Sequence, residues 1–411
     1  MGEGAAKFSV IIASYGRPDW LRRCLTGVMQ LDYPSFEVIV VADQTGLSAI
    51  EDHPARHLIK LAEQEAPNIS LARNAGIALA AGSFLAFIDD DAVPEPMWLR
   101  HHADALATHK AAASVGYVRG RNGISFQSQV ESVDAEAETH RELSPPEQSI
   151  VPELATGRAL KLVGTNMVFS RELLCRLGGF DAGYRYFLED TDISLRLAHS
   201  AETVVAAPLA EVHHASAASV RRTPQRRPRS LYDIGWSSAL FFRRHRPSAI
   251  DLFERIWRRE ELRLHRHLIQ GTCEPRDIRQ LLASLESGWR DAQSAELDKL
   301  TPISTKPPPF RAVSVNREPH RVLTSRFIGR SAAIAAAVNN LKAGARTSVF
   351  SFSLTARPQR VRFLECGVWL QSGGQFGQST RDRPFFKWCR FAERTQEEIR
   401  RVAKQRGISE N

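Results

Sequence analysis

The stretch that most constrains this chain is Phe84-Leu85-Ala86-Phe87-Ile88-Asp89-Asp90-Asp91-Ala92-Val93-Pro94. Five apolar residues run straight into three consecutive carboxylates, and a proline follows. An apolar run with aromatic and β-branched members, bounded by turn chemistry, predicts a central strand of a parallel sheet. Ligands of open α/β sheets gather at the carboxyl ends of strands, where these aspartates stand. Adjacent carboxylates repel one another, so such a site expects a cation. Hard oxygen ligands suit Mg2+ or Mn2+, above all a metal shared with substrate phosphates. The plain alternative is a solvated acidic loop.

The flanking chain supports a layered α/β domain. Phe8 to Ala13 predicts a buried strand, Asp19 to Gln30 an amphipathic helix and Phe36 to Ala42 a second strand. Ala55 to Ala66 reads as helical, and Leu71 to Ala81 as a helix ahead of the acidic strand. Strand and helix alternating at this spacing predict right-handed crossovers and a mostly parallel sheet. Ala111 to Arg119 predicts a strand, Val130 to Pro152 a helix followed by an exposed loop, and Val163 to Phe169 a further strand. A helix from Arg171 to Leu177 ends at Gly178-Gly179, and another opens at Leu188-Glu189-Asp190-Thr191-Asp192. Val204 to Ala207 predicts a last short strand, followed by Glu211-Val212-His213-His214.

The formal charge of +9 conceals a division. Residues 1–218 hold 18 Lys/Arg against 28 Asp/Glu, whereas residues 219–411 hold 37 against 18. A split of this kind marks a change of role along the chain. Five scattered cysteines form no Cys-x-x-Cys pair, which argues for a reducing compartment and against structural zinc. The amino terminus lacks the order of a signal peptide, and no apolar window is long enough to span a bilayer. A cytoplasmic protein is expected, with peripheral contact at the inner membrane face open to the basic half.

FSVIIASYGRP, FEVIVVAD, SLARNAGIALAAGSFLAFIDDDAVPEPMWL, VGTNMVFSRELLCRLGGFD, LEDTDISLRL and VHH occur in that order. Together they resemble the family 2 glycosyltransferases, inverting enzymes of the GT-A fold that use nucleotide-sugar donors. The resemblance covers roughly residues 7–218. It implies that Asp89 and Asp91, with Asp90 between them, belong to the metal-binding carboxylate motif, and that a bound Mn2+ or Mg2+ neutralises the leaving nucleotide. It implies that Asp190 is the general base that takes the proton of the acceptor hydroxyl. The competing reading of Glu189, Asp190 and Asp192 is charge favoured in a first helical turn.

The resemblance further places Ala13, Tyr15, Asp43, Arg73 and Asp90 on the nucleotide-sugar side, and Gly164, Asn166 and Glu189 on the acceptor side. Ala42 stands where many relatives carry a second acidic residue, which leaves the base preference open. Arg73 could equally be a helix-surface charge. The histidine pair implies one extra metal ligand. Adjacent residues of a strand point to opposite faces, so one of the two reaches the metal; the expectation is His213 rather than His214.

Ser219 to Ser230 (SVRRTPQRRPRS) packs five arginines and two prolines into a segment that cannot be a continuous helix. It is either a solvated linker or a cover over an anionic donor or phospholipid headgroups. Helices are expected over Leu231 to Arg246, Ser248 to Gln270 and Asp277 to Leu300. The expected division is a GT-A domain over 1–218, a basic helical extension over 219–300, a proline-rich linker over 301–319 and a small C-terminal α/β domain over 320–411. In that last domain Ile328 to Leu341 predicts a helix, and Arg346 to Leu354 and Val361 to Leu370 predict strands.

The function expected is transfer of a sugar from a nucleotide diphosphate donor to a saccharide or lipid-linked acceptor in cell-envelope polysaccharide or glycoconjugate assembly. A sugar nucleotidyltransferase would share core and metal but needs a glycine-rich phosphate loop, which Ser14-Tyr15-Gly16-Arg17-Pro18 does not offer. A nucleic-acid-binding or scaffold protein fits the pI near 9.6, yet the candidate site is acidic and the basic half lacks a nucleic-acid motif.

Overall fold

The computed structural model describes residues 5–143, 145, 147–247, 251–303, 306–313 and 318–409. The chain opens with β1 (Phe8–Ser14), α1 (Pro18–Val28), β2 (Phe36–Ala42), α2 (Gln44–Ala49), β3 (Ile59–Glu63), α3 (Ile69–Leu79), β4 (Phe84–Asp89) and β5 (Ala92–Pro94). It continues through α4 (Trp98–His109), β6 (Ala113–Arg119), β7 (Phe126–Ser128), β8 (Glu131–Asp134), β9 (Thr139–Arg141), β10 (Arg158–Leu160), β11 (Met167–Ser170), α5 (Arg171–Arg176), α6 (Glu189–Ala198) and β12 (Val204–His214).

Eight strands lie in the order β3-β2-β1-β4-β11-β6-β12-β5, with β7 paired to β6. The β1–β2, β1–β4, β2–β3 and β6–β12 pairs are parallel; β11 runs antiparallel between β4 and β6. This is the mostly parallel, helix-flanked sheet expected. Every residue of β1 and β2 is buried, as strands covered on both faces require. Alternation sends Val10 and Ile12 into one apolar layer with Leu25, and Ile11 and Ile39 into the other with Phe87.

Three local expectations fail in this part of the chain, two of them through a long-range partner. Ala55 to Ala66 is not a helix: Ile59–Glu63 pairs in parallel with β2, and Lys60 Nζ ion-pairs with the buried Glu37 carboxylate at 2.8 Å. The apolar positions there satisfy either period, and the open edge of β2 decides between them. Residues 130–152 hold no helix among the described residues; β8, β9 and β10 form a separate antiparallel sheet. The strand expected over 163–169 shortens to Met167–Ser170, because Asn166 N–H closes a turn on Val163 C=O at 2.8 Å.

The basic extension forms α7 (Tyr232–His245), α8 (Leu252–Ile269) and α9 (Pro275–Ser294); the expected start at Ser248 lies outside the described residues. Leu240, Phe241, Leu264 and Leu285 share a core with Tyr184, Leu188 and Leu195 around α6. Glycines let α7 and α9 touch, since a Cβ on Gly235 would stand 2.0 Å from Leu285 C=O. The described residues of the expected linker are tied down at two points: Ile303 N–H donates to Cys175 C=O and Val313 N–H to Phe36 C=O.

The last part contains β13 (Arg321–Arg326), α10 (Arg330–Lys342), β14 (Thr347–Ser353), β15 (Arg360–Phe363), β16 (Trp369–Gly374) and α11 (Phe391–Arg406). Its sheet runs β13-β14-β16-β15. The single strand expected over 361–370 is a hairpin, β15 pairing antiparallel with β16. All five cysteines are free. Among the described residues no helix is long and apolar enough to cross a membrane.

Candidate active site

The carboxylate run sits where β4 ends, beside the ends of β1 and β12. Strand alternation puts Asp89 and Asp91 on one side and Asp90 on the other. Asp90 is fully buried; its Oδ2 accepts from Ser14 Oγ at 2.7 Å and from Arg17 Nε at 3.0 Å. It therefore points under the site, and the expectation that Asp90 contacts the donor is corrected. Burial raises its carboxyl above the ordinary range, partly offset by Arg17.

Asp91 is also buried, but it faces the cleft rim. Its Oδ2 accepts from Ala217 N–H at 2.7 Å, and its Oδ1 lies 3.2 Å from His214 Nε2. Burial alone would raise the Asp91 carboxyl; the His214 contact outweighs it and the carboxyl is held low. Ligand atoms of Asp89, Asp91 and His214 all lie within 4.8 Å of one another. Two carboxylate oxygens and an imidazole nitrogen fit Mn2+ better than Mg2+.

His213, the histidine expected at the metal, faces the other way. Its Nε2 lies 2.8 Å from Glu95 Oε1, and its ring packs on Trp369. Only one histidine of the pair reaches the carboxylates, as alternation demands, but it is His214.

Opposite the aspartates, the turn before α6 delivers Glu189 and Asp190. Phe187 and Leu188 hold left-handed backbone there, φ 74° and 69°, a conformation that costs side-chain-bearing residues energy and recurs at functional sites. Asp190 Oδ2 accepts from Gly164 N–H at 3.2 Å. Glu189 is buried against Arg73, Nη1 to Oε1 2.9 Å; burial, then the neighbouring Asp190, raises its carboxyl despite that arginine. Arg73 Nη2 also reaches Asp89 Oδ1 at 3.4 Å and Gly164 C=O at 3.2 Å. One buried guanidinium thus ties the two acidic groups together, which disposes of the helix-surface reading. A Cβ at Gly164 would meet Arg73 Nη2 at 2.5 Å, so glycine makes room for it.

A cleft of about 400 Å³ is lined by Ala13, Tyr15, Arg73, Asp89, Asp91, Gly164, Glu189, Asp190 and His214. Asp43 stands at the first position before α2 without a capping bond, its Oδ1 instead accepting from Gly16 N–H at 3.1 Å. Asn166 does not reach the cleft. Its amide donates to Tyr117 and Ala210 carbonyls and accepts from Trp98 Nε1, a buried network behind the site that corrects its acceptor-side placement.

Residues 9–178 match the family model described as Glycosyl transferase family 2. The chain carries a family 2 glycosyltransferase domain. Glycosyltransferase AglE of Haloferax volcanii is 33% identical over 106 residues, covering 24% of this chain and 35% of that protein. Succinoglycan biosynthesis protein ExoM of Rhizobium meliloti is 27% identical over 222 residues, 49% of this chain and 64% of that one. Glycosyltransferase GlyA of Streptococcus pneumoniae serotype 4 is 29% identical over 114 residues, covering 27% of this chain and 16% of GlyA. The chain thus spans less than two thirds of each of these relatives. Among solved structures, S. aureus TarS 1-349 in complex with UDP-GlcNAc superposes with a TM-score of 0.42 at 17% identity, over 57% of this chain and 66% of that one.

Other residues also stand at or under the cleft. Arg17 lies against Asp90 and places Nη1 3.2 Å from Asp91 Oδ2. Gln127, Tyr186 and Phe187 line the cleft; so do Ser219 to Arg222, from the segment for which a cover over the donor was one of the two readings. Arg17 carried a signal in its place immediately after β1; Gln127 and Tyr186 carried none, since only the fold brings them in.

Proposed function

We propose that this protein is an inverting glycosyltransferase that moves a sugar from a nucleotide-diphosphate donor to an acceptor hydroxyl, with Asp190 as general base. The observation that carries the reading is convergence. Asp89, Asp91 and His214 on one side and Asp190 on the other line the same cleft, although they stand far apart in the chain. A sugar nucleotide binds with its nucleoside toward Ala13, Tyr15 and Asp43, and its diphosphate beside Asp89, Asp91 and His214. A divalent cation held by those three residues supplies positive charge to the departing diphosphate.

The acceptor hydroxyl approaches from the Asp190 side. Its oxygen forms the new bond to the anomeric carbon, its proton passes to the Asp190 carboxylate, and the bond to the diphosphate breaks. Gly164 N–H orients that carboxylate, and Arg73 fixes Glu189 behind it. Ser219 to Arg222 close the cleft and exclude water. The match to the succinoglycan biosynthesis protein ExoM favours polysaccharide assembly.

Peripheral membrane contact fits the C-terminal sheet better than the basic helices. Parallel strands β13, β14 and β16 end in register, Arg326 beside Phe352 and Phe352 beside Gly373. Phe327, Ile328 and Leu354 follow those strand ends, and Phe386 and Trp388 pack on Phe376 just beyond β16; with Phe385 they make up half of the exposed large hydrophobics among the described residues. Aromatic tips among Arg381, Arg383 and Lys387 suit an anionic bilayer surface.

Donor binding is tested by thermal shift across nucleoside diphosphates with and without Mn2+, and transfer by release of nucleoside diphosphate. Asp91→Ala should lose metal-dependent binding. Asp190→Asn should keep binding and lose roughly 10²–10⁴-fold in rate, the usual worth of a positioned base. Undiminished transfer by Asp190→Asn would overturn the assignment of the base.

A further inference from the structure

Beyond the catalytic cleft lies a second cavity, larger than the first at about 730 Å³. The two share a wall made of Pro67, Tyr186, Val220, Arg221 and Arg222. Its other sides come from the rest of the arginine-rich segment and from the last two turns of α8, which contribute Arg226, Arg229, Arg263 and Arg266.

The charges there are unbalanced. The lining includes a single carboxylate, Asp233, and Arg221 takes it at 2.8 Å. Arg263 is paired with Glu260 at 3.0 Å. Among the described residues no carboxylate lies within ion-pair distance of Arg222, Arg226, Arg229 or Arg266. The Nε of Arg222 is buried without a hydrogen-bond partner. A donor left without an acceptor costs free energy unless something supplies one.

The segment is also held in place, unlike a solvated linker. Arg221 donates to Pro67 C=O at 2.9 Å and lies over the Tyr186 ring at 4.7 Å. Arg229 N–H donates to Arg221 C=O, and Arg227 pairs with Asp277 at 3.0 Å. Four unpaired arginines thus stand around one hollow, three of them on a backbone that is held in place.

We propose that this second cavity binds a phosphate or diphosphate group of the acceptor, so that the hydroxyl to be glycosylated reaches Asp190 past Tyr186. The inference rests on the reading of the first cleft as the transfer site. Guanidinium groups match phosphate oxygens in bidentate pairs. Four of them exceed the need of a lone carboxylate and suit a doubly or triply charged group. No acidic cluster stands there to hold a divalent cation, so the anion is neutralised by arginine alone. The donor's diphosphate has its place on the far side of Arg221 and Arg222, beside Asp89 and Asp91.

Isothermal calorimetry on the full chain in EDTA tests this with inorganic pyrophosphate as probe. Wild type should bind it, and Arg226→Ala/Arg266→Ala should bind roughly 100-fold more weakly, as loss of two charge-assisted contacts implies. Neither residue lines the catalytic cleft, so binding of a nucleoside diphosphate with Mn2+ should be unchanged in that variant. Farnesyl diphosphate and phosphatidylglycerol vesicles identify the source. Tighter binding of farnesyl diphosphate than of pyrophosphate supports a lipid-linked acceptor, and equal binding supports a phosphorylated saccharide. Equal pyrophosphate affinity in wild type and variant would overturn the proposal, and so would vesicle binding that depends on these arginines without pyrophosphate binding. Failure of the Mn2+ and nucleotide arm alone would count against the transfer reading and leave the anion site standing.

Discussion

Replacing Arg406 by methionine should loosen the C-terminal sheet from the glycosyltransferase domain. Arg406 is fully buried, its Nε 2.9 Å and Nη2 3.1 Å from the two oxygens of Glu95. Its Nη1 donates to Ser348 Oγ and Gln371 Oε1, and its guanidinium lies 4.6 Å over the Trp369 ring. Methionine fills much of the same volume but leaves Glu95 with only His213 as a polar neighbour of consequence. Removing one partner of a buried pair costs about 3–5 kcal/mol, mostly from the charge left behind. At roughly 2 °C per kcal/mol for a chain of this size, Tm should fall by about 6–10 °C.

The pH dependence carries its own sign. Burial alone would raise the Glu95 carboxyl; Arg406 and His213 outweigh it and hold it well below the usual carboxylate range. A depressed folded pKa means stability that is present above the unfolded value of about 4.5 and lost as pH falls below it. In Arg406→Met that carboxyl rises instead, so the deficit against wild type should be largest near pH 7 and shrink toward pH 4. Glu95→Gln/Arg406→Met should recover most of the loss. Scanning calorimetry at both pH values reads all three proteins. A deficit under about 1 kcal/mol at pH 7, or a double variant no more stable than the single, would refute the argument.

Further outcomes follow from other contacts. Gly164→Ala forces Arg73 off its three partners; transfer should drop more than about tenfold while stability falls by only about 1–3 kcal/mol, the range of an overpacked site, read by kinetics beside urea unfolding. Burial pushes the His102 imidazole down to about 4 from 6.5. Its neutral form is favoured in the fold, so stability should fall by up to about 3 kcal/mol as pH drops from 6.5 toward 4; urea midpoints should show a flatter profile in His102→Gln. Phe385→Ser/Trp388→Ser should lose co-sedimentation with phosphatidylglycerol vesicles and keep transfer to a water-soluble acceptor; unchanged co-sedimentation would dismiss that edge as a membrane face.

What could be read directly was whatever depends on neighbours close in sequence. The buried strands 8–14, 36–42 and 84–89, the helix opening at Glu189 and the pair Asp89 and Asp91 on one side of β4 all follow from period and turn chemistry. The order of the motifs carried the family. Glu189 and Asp190 announced themselves as an acidic pair, and the basic segment after β12 announced its charge.

Other features were settled by partners far along the chain. Lys60 became part of a strand because Glu37 and the edge of β2 awaited it, and Glu131–Asp134 paired with Arg158–Leu160 on one side and Thr139–Arg141 on the other rather than coiling. Asp90 turned inward because Ser14 and Arg17 could satisfy its charge there, and Asn166 because Trp98, His102, Tyr117 and Ala210 offered it four buried hydrogen-bonding groups. The histidines make the plainest case. Pairing of β12 with β6 shifts register between Ala207 and Glu211, and a slip of one residue exchanges the two faces of a strand. Alternation told that a single histidine would meet Asp91; the irregularity in β12 and its pairing with β5 chose His214, since hydrogen-bond register is a property of two strands together and of neither alone.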